Sequence, residues 1–316
     1  MFGAQLAGIP NLTVLTGVPL SLYTRFGIGG PADLYAETDE PEAFVAAIEA
    51  VRLSGMPAVV IGGGTNLIVS DEGFRGIVLR YRGDRLSASG DRVLAEAGAS
   101  LQDLVDFSVD RGLRGLETLA GIPGSAGAAV YGNAGAYGHS ISERVRSVRF
   151  YDGCGIRELD HGGCEFQYRE SVFKRHKEWI IFSAELLLEP ADAAELRRTA
   201  DGIVKIRSEK FPVTMKCAGS VFKNLIVKDL PAGAAAQLPD GVARDGKAAA
   251  AWFLEQAGAK GLAHGDIHVA DYHANLIYNA GGGTAADLRA VIEELKARVR
   301  ARFGLELEEE VQYVGF

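Results

Sequence analysis

Residues 120–138 read AGIPGSAGAAVYGNAGAYG, and the fold depends on this stretch. Pro123 and Gly124 predict a turn, after which the small residues allow a helix to start against something flat or bulky. The segment Gly132–Gly138 then adds many backbone N–H groups with little side-chain obstruction. On local sequence alone, this pattern is as typical of a close-packed helix crossing as of a ligand-binding loop.

A second glycine cluster lies upstream, where the apolar run Ala58–Ile61 leads into residues 62–66, GGGTN. It is not a Rossmann fingerprint, because the GxGxxG spacing is absent and an apolar, strand-like run, Leu67–Val69, follows where a helix is required. No GxxxxGK[ST] motif occurs either. The loop is therefore a tight structural turn or a concavity of backbone N–H groups that binds phosphate. Two separate glycine-rich loops suit a ligand with a pyrophosphate and a large planar ring system.

The composition is that of a folded protein with about two domains, since 316 residues are available at roughly 150 per domain. A net charge of −8 argues against a general nucleic-acid binder or a basic membrane-surface protein. No apolar run approaches the length of about 18 residues that spans a bilayer, and the first 24 residues carry no Lys or Arg of a signal peptide. The three cysteines, 154, 164 and 217, fit no disulfide framework or zinc motif. We expect a cytoplasmic protein with free thiols and no metal.

Hydrophobic periodicity predicts an α+β fold with mixed sheets. The predicted helices cover residues 38–55, 100–111, 192–209, 247–257 and 284–303. The predicted strands cover 58–61, 67–69, 76–81, 92–97, 144–151, 179–188, a stretch around 267, 276–278, and 305–314 as a strand pair or bent strand. Thr38 and Asp39 are candidate N-caps of the first helix, and Thr284 with Asp287 resembles a capping box.

Eight short motifs resemble those of the UDP-N-acetylenolpyruvoylglucosamine reductase (MurB) family, flavoenzymes of peptidoglycan precursor synthesis. They occur in family order and cover nearly the whole chain, so the set is specific although each motif alone is weak. The motifs are Thr24–Pro31 (TRFGIGGP), Ile61–Asp71 (IGGGTNLIVSD), Ala120–Gly138, Tyr168–Lys174 (YRESVFK), Gly219–Asn224 (GSVFKN), Ala257–Gly261 (AGAKG), His273–Asn279 (HANLIYN) and Glu308–Gly315 (EEEVQYVG). The stretch between Leu188 and Ala200 is too short for the tyrosine-bearing substrate loop of one subgroup, so the chain resembles the subgroup that lacks this loop.

The resemblance implies a vanillyl-alcohol-oxidase-type FAD-binding fold in two subdomains, 1–80 and 81–209 with 305–316 returning, and a smaller α/β substrate-binding domain over 210–304. It implies non-covalent FAD, NADPH as hydride donor, and reduction of UDP-N-acetylglucosamine enolpyruvate to UDP-N-acetylmuramate. NADPH and the sugar nucleotide are expected to use one site in turn. We expect a monomer without nucleic-acid or membrane partners.

The resemblance also implies three catalytic residues. Arg169 matches the arginine that stabilises the enolate formed on hydride addition, a role that suits a guanidinium fork. Ser220 matches the proton donor; a serine is a poor acid in water, so its role depends on position. Glu310 matches the carboxyl group near the flavin, which assists an enolate only if it is protonated or bridged by water. The simpler alternatives are an ion pair of Arg169 with a neighbouring glutamate, a turn serine, and a solvated charge run, which fits Glu308 or Glu309 better than Glu310.

Family positions for ligands also carry over. Expected FAD contacts are Gly62, Gly63, Gly64, Thr65, Asn66, Gly121, Pro123, Gly124, Ser125, Gly127, Asn133, Gly135 and Tyr137. Expected substrate contacts are Tyr131, Lys210, Asn224, Lys260 and His273. Residues 263–266 (AHGD) depart from the family's usual Gly-Gly-Ala turn, which leaves ligand contacts there open.

Two other functions compete with the reductase. Another FAD-dependent oxidase or dehydrogenase of the same superfamily often tethers its flavin to His or Cys, and neither residue occurs in 62–66 or 120–135. A catalytically inactive flavin- or sugar-nucleotide-binding protein would be expected to have lost Arg169, Ser220 or Glu310, and all three are present.

Overall fold

The computed structural model describes residues 2–316, which form a mixture of helices and strands with several runs of consecutive strands. The α-helices, in chain order, are α1 Phe2–Ala7, α2 Pro41–Ser54, α3 Leu101–Val109, α4 Ala126–Tyr131, α5 Val172–Arg175, α6 Ala193–Lys210, α7 Ala232–Ala235, α8 Ala250–Gln256 and α9 Ala285–Phe303. The strands are β1 Thr13–Pro19, β2 Pro31–Thr38, β3 Ala58–Ile61, β4 Leu67–Val69, β5 Phe74–Tyr81, β6 Leu86–Ser89, β7 Arg92–Glu96, β8 Leu113–Arg114, β9 Gly135–Ala136, β10 His139–Ser140, β11 Val145–Tyr151, β12 Ile156–Asp160, β13 Ile180–Leu187, β14 Glu189–Pro190, β15 Lys216–Ser220, β16 Leu225–Ile226, β17 Ala243–Arg244, β18 Lys247–Ala248, β19 Ala263–His264, β20 Ile267–Ala270, β21 His273–Asn279 and β22 Gln312–Val314. Within these residues, no helix combines the length and apolar content needed to cross a bilayer.

The chain divides into two compact units, each assembled from separate segments. The first unit contains residues 1–18, 32–64 and 75–209, and the second contains 19–31, 65–74 and 210–316. Each unit therefore combines short segments from the first 74 positions with one long later segment, which is 75–209 in the first unit and 210–316 in the second. The division into 1–80, 81–209 and 210–304 stays a prediction.

Two sheets form the frame of the first unit. One has the strand order β1-β2-β5-β3, with β3 and β5 parallel, and the other is antiparallel with the order β12-β11-β13-β7-β6. Phe44 of α2, Tyr81 of β5 and Phe182 of β13 meet edge to face, with ring centroids 5.0–6.0 Å apart. Such pairs add to the stability gained from apolar burial. Helices α3 and α4 pack with β7 and β13 in a second core of this unit.

The second unit is built on the sheet β15-β21-β20-β19 and the long helix α9. The apolar stripe of α9 is buried, with Leu288 and Leu295 at 0% exposure, as its period of 3–4 residues predicts. The capping box is present, since the Thr284 and Asp287 side chains each bond the other residue's backbone N–H. The Asp71 carboxylate accepts two more first-turn N–H groups of α9, from Ala285 at 2.8 Å and Ala286 at 3.0 Å. Caps of this kind satisfy donors that have no partner within the helix.

Most predicted elements are confirmed within a few residues, and three differ. Helix α2 takes Glu40 as its N-cap, because Pro41 occupies the first helical position. Helix α8 starts at Ala250, because Lys247–Ala248 pairs as a strand with both β16 and β17. The predicted strand pair or bent strand over 305–314 is confirmed only in part. Gln312–Val314 pairs in parallel with Leu67–Val69, Glu309 forms an isolated antiparallel bridge with Phe222, and residues 305–307 are not strand.

Gly127 tests how tightly α4 packs. A Cβ added there would lie 2.6 Å from the Ala97 Cβ and 3.0 Å from the Ala97 carbonyl oxygen, so backbone would have to move. We expect Gly127→Ala to lower the free energy of unfolding by about 1–3 kcal/mol, the usual cost of overpacking. Gly202→Ala in α6 is the matched control, because a Cβ at Gly202 meets nothing within 4 Å. If urea denaturation gave Gly127→Ala and Gly202→Ala the same free energy of unfolding as the wild type, the tight packing of Gly127 would be contradicted.

Candidate functional site

Two glycine-bearing loops face each other in the first unit. A Cβ on Gly63 would lie 3.6 Å from the Gly124 Cα, and one on Gly62 would lie 3.3 Å from the Ser125 Oγ. Gly62 and Gly63 are exposed, and Gly124 has a φ of 126°, a conformation that side chains disfavour. The loops therefore form a wall of backbone with almost no side chain, which fits a large planar or phosphate-bearing group.

The other residues predicted to contact FAD differ in burial and in their hydrogen-bond partners. The Ser125 Oγ accepts the Ala128 N–H at 3.3 Å and caps α4, whereas Gly127 is buried against Ala97. The Gly121 N–H donates to the Gln102 side chain at 2.7 Å. Asn66 falls in the second unit, where its side chain donates to the Glu310 carbonyl at 2.8 Å. The remaining members are the exposed Pro123 and Tyr137, the half-buried Gly121, Gly135 and Thr65, and the buried Gly64 and Asn133.

A set of hydrogen bonds joins residues 131–135 to residues 167–171 in the first unit. The Asn133 side chain donates to the Gln167 carbonyl at 2.8 Å, and the Ser171 hydroxyl donates to the Tyr131 carbonyl at 2.7 Å. Arg169 donates from Nη2 to the Gly135 carbonyl at 2.9 Å and from Nη1 to the Asn133 carbonyl at 3.4 Å. These bonds hold the guanidinium against the glycine-rich segment.

Arg169 itself lies in a strained turn. Gln167 and Glu170 exchange two backbone hydrogen bonds, at 3.0 and 3.1 Å, so Tyr168 and Arg169 form a two-residue turn. Arg169 has a φ of 58° at the position where such turns favour Gly or Asn. The Lys174 ammonium donates to the Arg169 carbonyl at 2.9 Å and anchors the turn. Strain of this kind is retained mainly at functional positions.

The two glutamates weighed as ion-pair partners of Arg169 each bind a nearby cation. Glu165 pairs with Arg175, and Glu170 pairs with Lys174 at 2.9 Å. Burial and the nearby Glu170 carboxylate raise the pKa of Tyr131, so its phenol stays neutral.

Ser220 and Glu310 come close in the second unit. Ser220 ends β15, where it pairs with Leu276 of β21 after a bulge, and Gly219 takes the bulge with a φ of 77°. The Glu310 N–H donates to the carbonyl of Val221, the residue after Ser220, at 2.7 Å. Both side chains are half-buried.

The three consecutive glutamates have different environments. Glu308 is exposed and pairs with the buried Lys223, as a solvated charge would allow. Glu309, in contrast to our expectation, is largely withdrawn from solvent, since its carboxylate binds Lys296 at 2.9 Å and accepts the Tyr313 hydroxyl. Lys296 and Tyr313 supply the polar partners that this burial requires.

Three residues predicted to contact substrate form a cluster. His273 is half-buried, and its pKa is lowered to about 4 by desolvation first and then by the charges of Lys210 and Lys260. Its Nδ1 accepts the Asn275 N–H at 3.1 Å, which leaves the proton of the neutral ring on Nε2. The ring also lies 6.0 Å from that of Phe211, over which the Lys210 ammonium is placed. The Lys260 ammonium is paired with the Glu255 carboxylate at 2.6 Å, so Lys210, this ion pair and one neutral N–H donor make up the cluster. Ammonium and N–H donors of this kind suit phosphate oxygens.

The fourth residue and the divergent segment lie elsewhere in this unit. Asn224 accepts the Ala250 N–H at 3.2 Å at the start of α8. His264, in the segment that departs from the family pattern, lies 2.9 Å from the Asp287 carboxylate. The Thr284 hydroxyl and His264 lower the pKa of Asp287, so the divergent residues support the cap of α9.

Sequence reasoning missed four residues that hold these groups in place, namely Asp71, Ser171, Lys174 and Asn275. Each lies inside a quoted motif, so the signal was present, but each acts on backbone groups. A motif indicates that such residues matter without indicating which partner they bind.

Comparisons with known proteins identify the family of the chain. Residues 32–159 match the profile of an FAD binding domain, and residues 211–314 match that of the UDP-N-acetylenolpyruvoylglucosamine reductase C-terminal domain. A UDP-N-acetylenolpyruvoylglucosamine reductase of Solibacter usitatus is 68% identical over 98% of this chain and 100% of its own. One from Rubrobacter xylanophilus is 38% identical over 94% of each chain. The chain belongs to the UDP-N-acetylenolpyruvoylglucosamine reductase family.

A crystal structure of a family member, MurB from Thermus caldophilus, aligns with a TM-score of 0.74 and 27% identity over 96% of this chain and 99% of that one. This match and the FAD-binding profile confirm the predicted α+β fold of the vanillyl-alcohol-oxidase type. The family also favours the reductase over the other flavin-dependent oxidases and dehydrogenases.

His273 generates a pH prediction. The unfolded chain takes up a proton at His273 near pH 6.5, whereas the folded chain resists it down to about pH 4. Stability should therefore fall as the pH drops through this window, by about 2 kcal/mol from this residue after allowance for its partial exposure. In His273→Gln, the free energy of unfolding should fall by about 2 kcal/mol less than in the wild type between pH 7 and 4.5. Between pH 7.5 and 8.5 the two proteins should show the same slope of the free energy of unfolding against pH. Parallel curves for the two proteins below pH 6.5 would contradict a neutral buried imidazole.

Proposed function

We propose that this chain reduces UDP-N-acetylglucosamine enolpyruvate to UDP-N-acetylmuramate with Arg169, Ser220 and Glu310 as its catalytic groups. The activity follows from family membership, which rests above all on 68% identity to a reductase along nearly the whole chain. FAD, reduced by NADPH, supplies the hydride for the methylene carbon, because amino-acid side chains do not carry hydride. The glycine-walled loops at 62–63 and 124–125 are the part of the first unit that would hold it.

Arg169 stabilises the negative charge that develops on the substrate. Hydride addition to the enolpyruvyl group produces a carbanion beside a carboxylate, and a guanidinium offers that enolate two parallel donors and a fixed positive charge. The support for this role is the strained turn at φ 58°, together with the bonds to Asn133 and Gly135. Because the guanidinium is already in place, little reorganisation energy is needed when the charge develops on the substrate.

Ser220 delivers the proton that completes the reaction, to the carbon that carries the enolate charge. Its half-buried position at a bulge, with the segment after it held by Glu310, supports a role set by placement rather than by acidity. Glu310 polarises the enolate or relays the proton through water, and the hydrogen bond from the Asn66 side chain to its carbonyl holds its backbone.

Lys210, Lys260 and His273 bind the diphosphate of the sugar nucleotide. Lysines act on phosphate as mobile charges, and the Nε2–H of a neutral His273 adds one directed hydrogen bond. Asn224 then contacts uracil or sugar, and Tyr131 flanks the ligand. The passage from β14 at Pro190 to α6 at Ala193 supports the subgroup without the tyrosine-bearing loop. We place the enzyme in the cytoplasm as a monomer that serves peptidoglycan synthesis, without nucleic-acid or membrane partners.

An optical experiment tests the activity. The purified protein should be yellow, should release its flavin on denaturation, should bleach with NADPH under anaerobic conditions, and should regain its colour when the enolpyruvyl sugar nucleotide is added. Colour that returns only with oxygen would identify an oxidase instead.

Replacement of Ser220 by alanine tests the proton donor. Flavin reduction by NADPH should continue within about twofold of the wild type, while turnover of the enolpyruvyl substrate should fall by about 10²–10⁴-fold, the usual contribution of a positioned acid. Ser70→Ala, which removes a buried hydroxyl in the same unit, is the control. Equal slowing of both half-reactions in Ser220→Ala would make Ser220 a binding or packing residue.

A further inference from the structure

Asn275 lies in the middle of β21, and both polar atoms of its side chain bind a single residue of another segment. Its Nδ2 donates to the Phe222 carbonyl at 2.8 Å, and its Oδ1 accepts the Phe222 N–H at 2.9 Å. Its own carbonyl accepts the Val221 N–H at 3.1 Å. Asn275 is 2% exposed and Phe222 is 1% exposed, so these bonds are shielded from water.

The bulge before Ser220 explains why a side chain is needed here. Lys216 pairs with Asn279 and Cys217 with Tyr278, but Ser220 pairs with Leu276, so the register shifts by one residue. Beyond the shift, the amide of Asn275 supplies the donor and the acceptor for Phe222, in place of a backbone peptide group of β21. A side-chain amide can do this because it carries the same two groups as a peptide.

The same short segment is bound on its other side by the C-terminal residues. The Glu310 N–H donates to the Val221 carbonyl at 2.7 Å, and the Lys223 N–H donates to the Glu308 carbonyl at 2.9 Å. Asn275 also reaches the proposed diphosphate cluster, since its N–H donates to the His273 Nδ1 at 3.1 Å. One buried residue is thus bonded to segments that carry three proposed site residues, Ser220, Glu310 and His273.

A second asparagine of β21, Asn279, provides a comparison that distinguishes positioning of Ser220 from ordinary stabilisation of the fold. Asn279 is 4% exposed, and its side chain donates to the Phe26 carbonyl at 3.0 Å and accepts the N–H groups of Gly281 and Gly283 at 2.9 and 3.0 Å. It is as buried and as fully hydrogen-bonded to backbone as Asn275, on the same strand. Its partners are remote in sequence from Ser220 and Glu310.

We infer that Asn275 is a positioning residue for proton delivery, because its amide fixes the Val221–Phe222 backbone and through it the placement of Ser220 relative to Glu310. The inference rests on the proposed role of Ser220. It assigns Asn275 no contact with the reacting atoms.

The test compares Asn275→Asp with Asn279→Asp, each as the flavin-loaded full chain. In Asn275→Asp the carboxylate oxygen in place of Nδ2 would face the Phe222 carbonyl, so one hydrogen bond becomes a repulsive contact. We expect substrate reduction to slow by about 10–100-fold, the cost of a small misplacement, while flavin reduction by NADPH stays within about twofold. Asn279→Asp should lose stability without this selective effect. If Asn275→Asp does not fold, Asn275→Ser replaces it under the same criteria.

Hydrogen–deuterium exchange provides a readout apart from activity. Peptides covering residues 219–224 should exchange faster in the Asn275 variant, whereas those covering residue 26 and residues 281–283 should do so in the Asn279 variant. Equal loss of both half-reactions in the Asn275 variant, or the same selective slowing in both variants, would overturn the inference. So would normal substrate reduction in Asn275→Asp beside an impaired Ser220→Ala. A Ser220→Ala variant with normal substrate reduction would instead overturn the proposed role of the serine, and the inference with it.

Discussion

The backbone of Val221–Lys223 has hydrogen-bonding partners on both sides, and the chemistry proposed for the second unit depends on this constraint. On one side lie the carbonyl and amide of Asn275, and on the other lie Glu308 and Glu310. A serine hydroxyl is too weak an acid to work by acidity alone, so its effectiveness depends on where it is held. A segment bound on both edges, and buried at Val221 and Phe222, supplies such placement.

The first unit uses a related device around Arg169. Its backbone has a positive φ that an arginine adopts only at some cost in free energy. Lys174 binds the carbonyl of that residue, and Asn133 with Ser171 ties the turn to the glycine-rich segment. In each unit a local irregularity carries a candidate catalytic residue, and side chains bonded to backbone groups keep the irregularity in place.

The sequence predicted those elements whose signals are local. Helices α3 and α9 carry side-chain caps and apolar stripes, α2 has Pro41 at its start and Gly55 at its end, and β3 and β4 are short apolar runs on either side of the glycines at 62–64. Residues 305–307 are not strand and Glu309 forms only an isolated bridge with Phe222, because whether an apolar–acidic alternation pairs depends on partners far away in the chain. Lys247–Ala248 was misread as helix for the same reason, since its partners β16 and β17 cannot be found from propensity.

The site was accessible to sequence reasoning only through motifs. They indicated Arg169, Ser220, Glu310 and the ligand-binding positions, whose roles stay predictions. Asn275 and Lys174 were not identified from the sequence because their contribution depends on a bulge and a turn, which no spacing pattern shows.

The central claim is that Arg169, Ser220 and Glu310 act on one substrate group. A crystal structure with FAD and the enolpyruvyl sugar nucleotide bound tests it most directly. We predict the Arg169 guanidinium and the Ser220 hydroxyl within about 3–4 Å of the enolpyruvyl group, with Glu310 within reach directly or through one water. An enolpyruvyl group bound beyond the reach of Arg169 or Ser220 would contradict the claim.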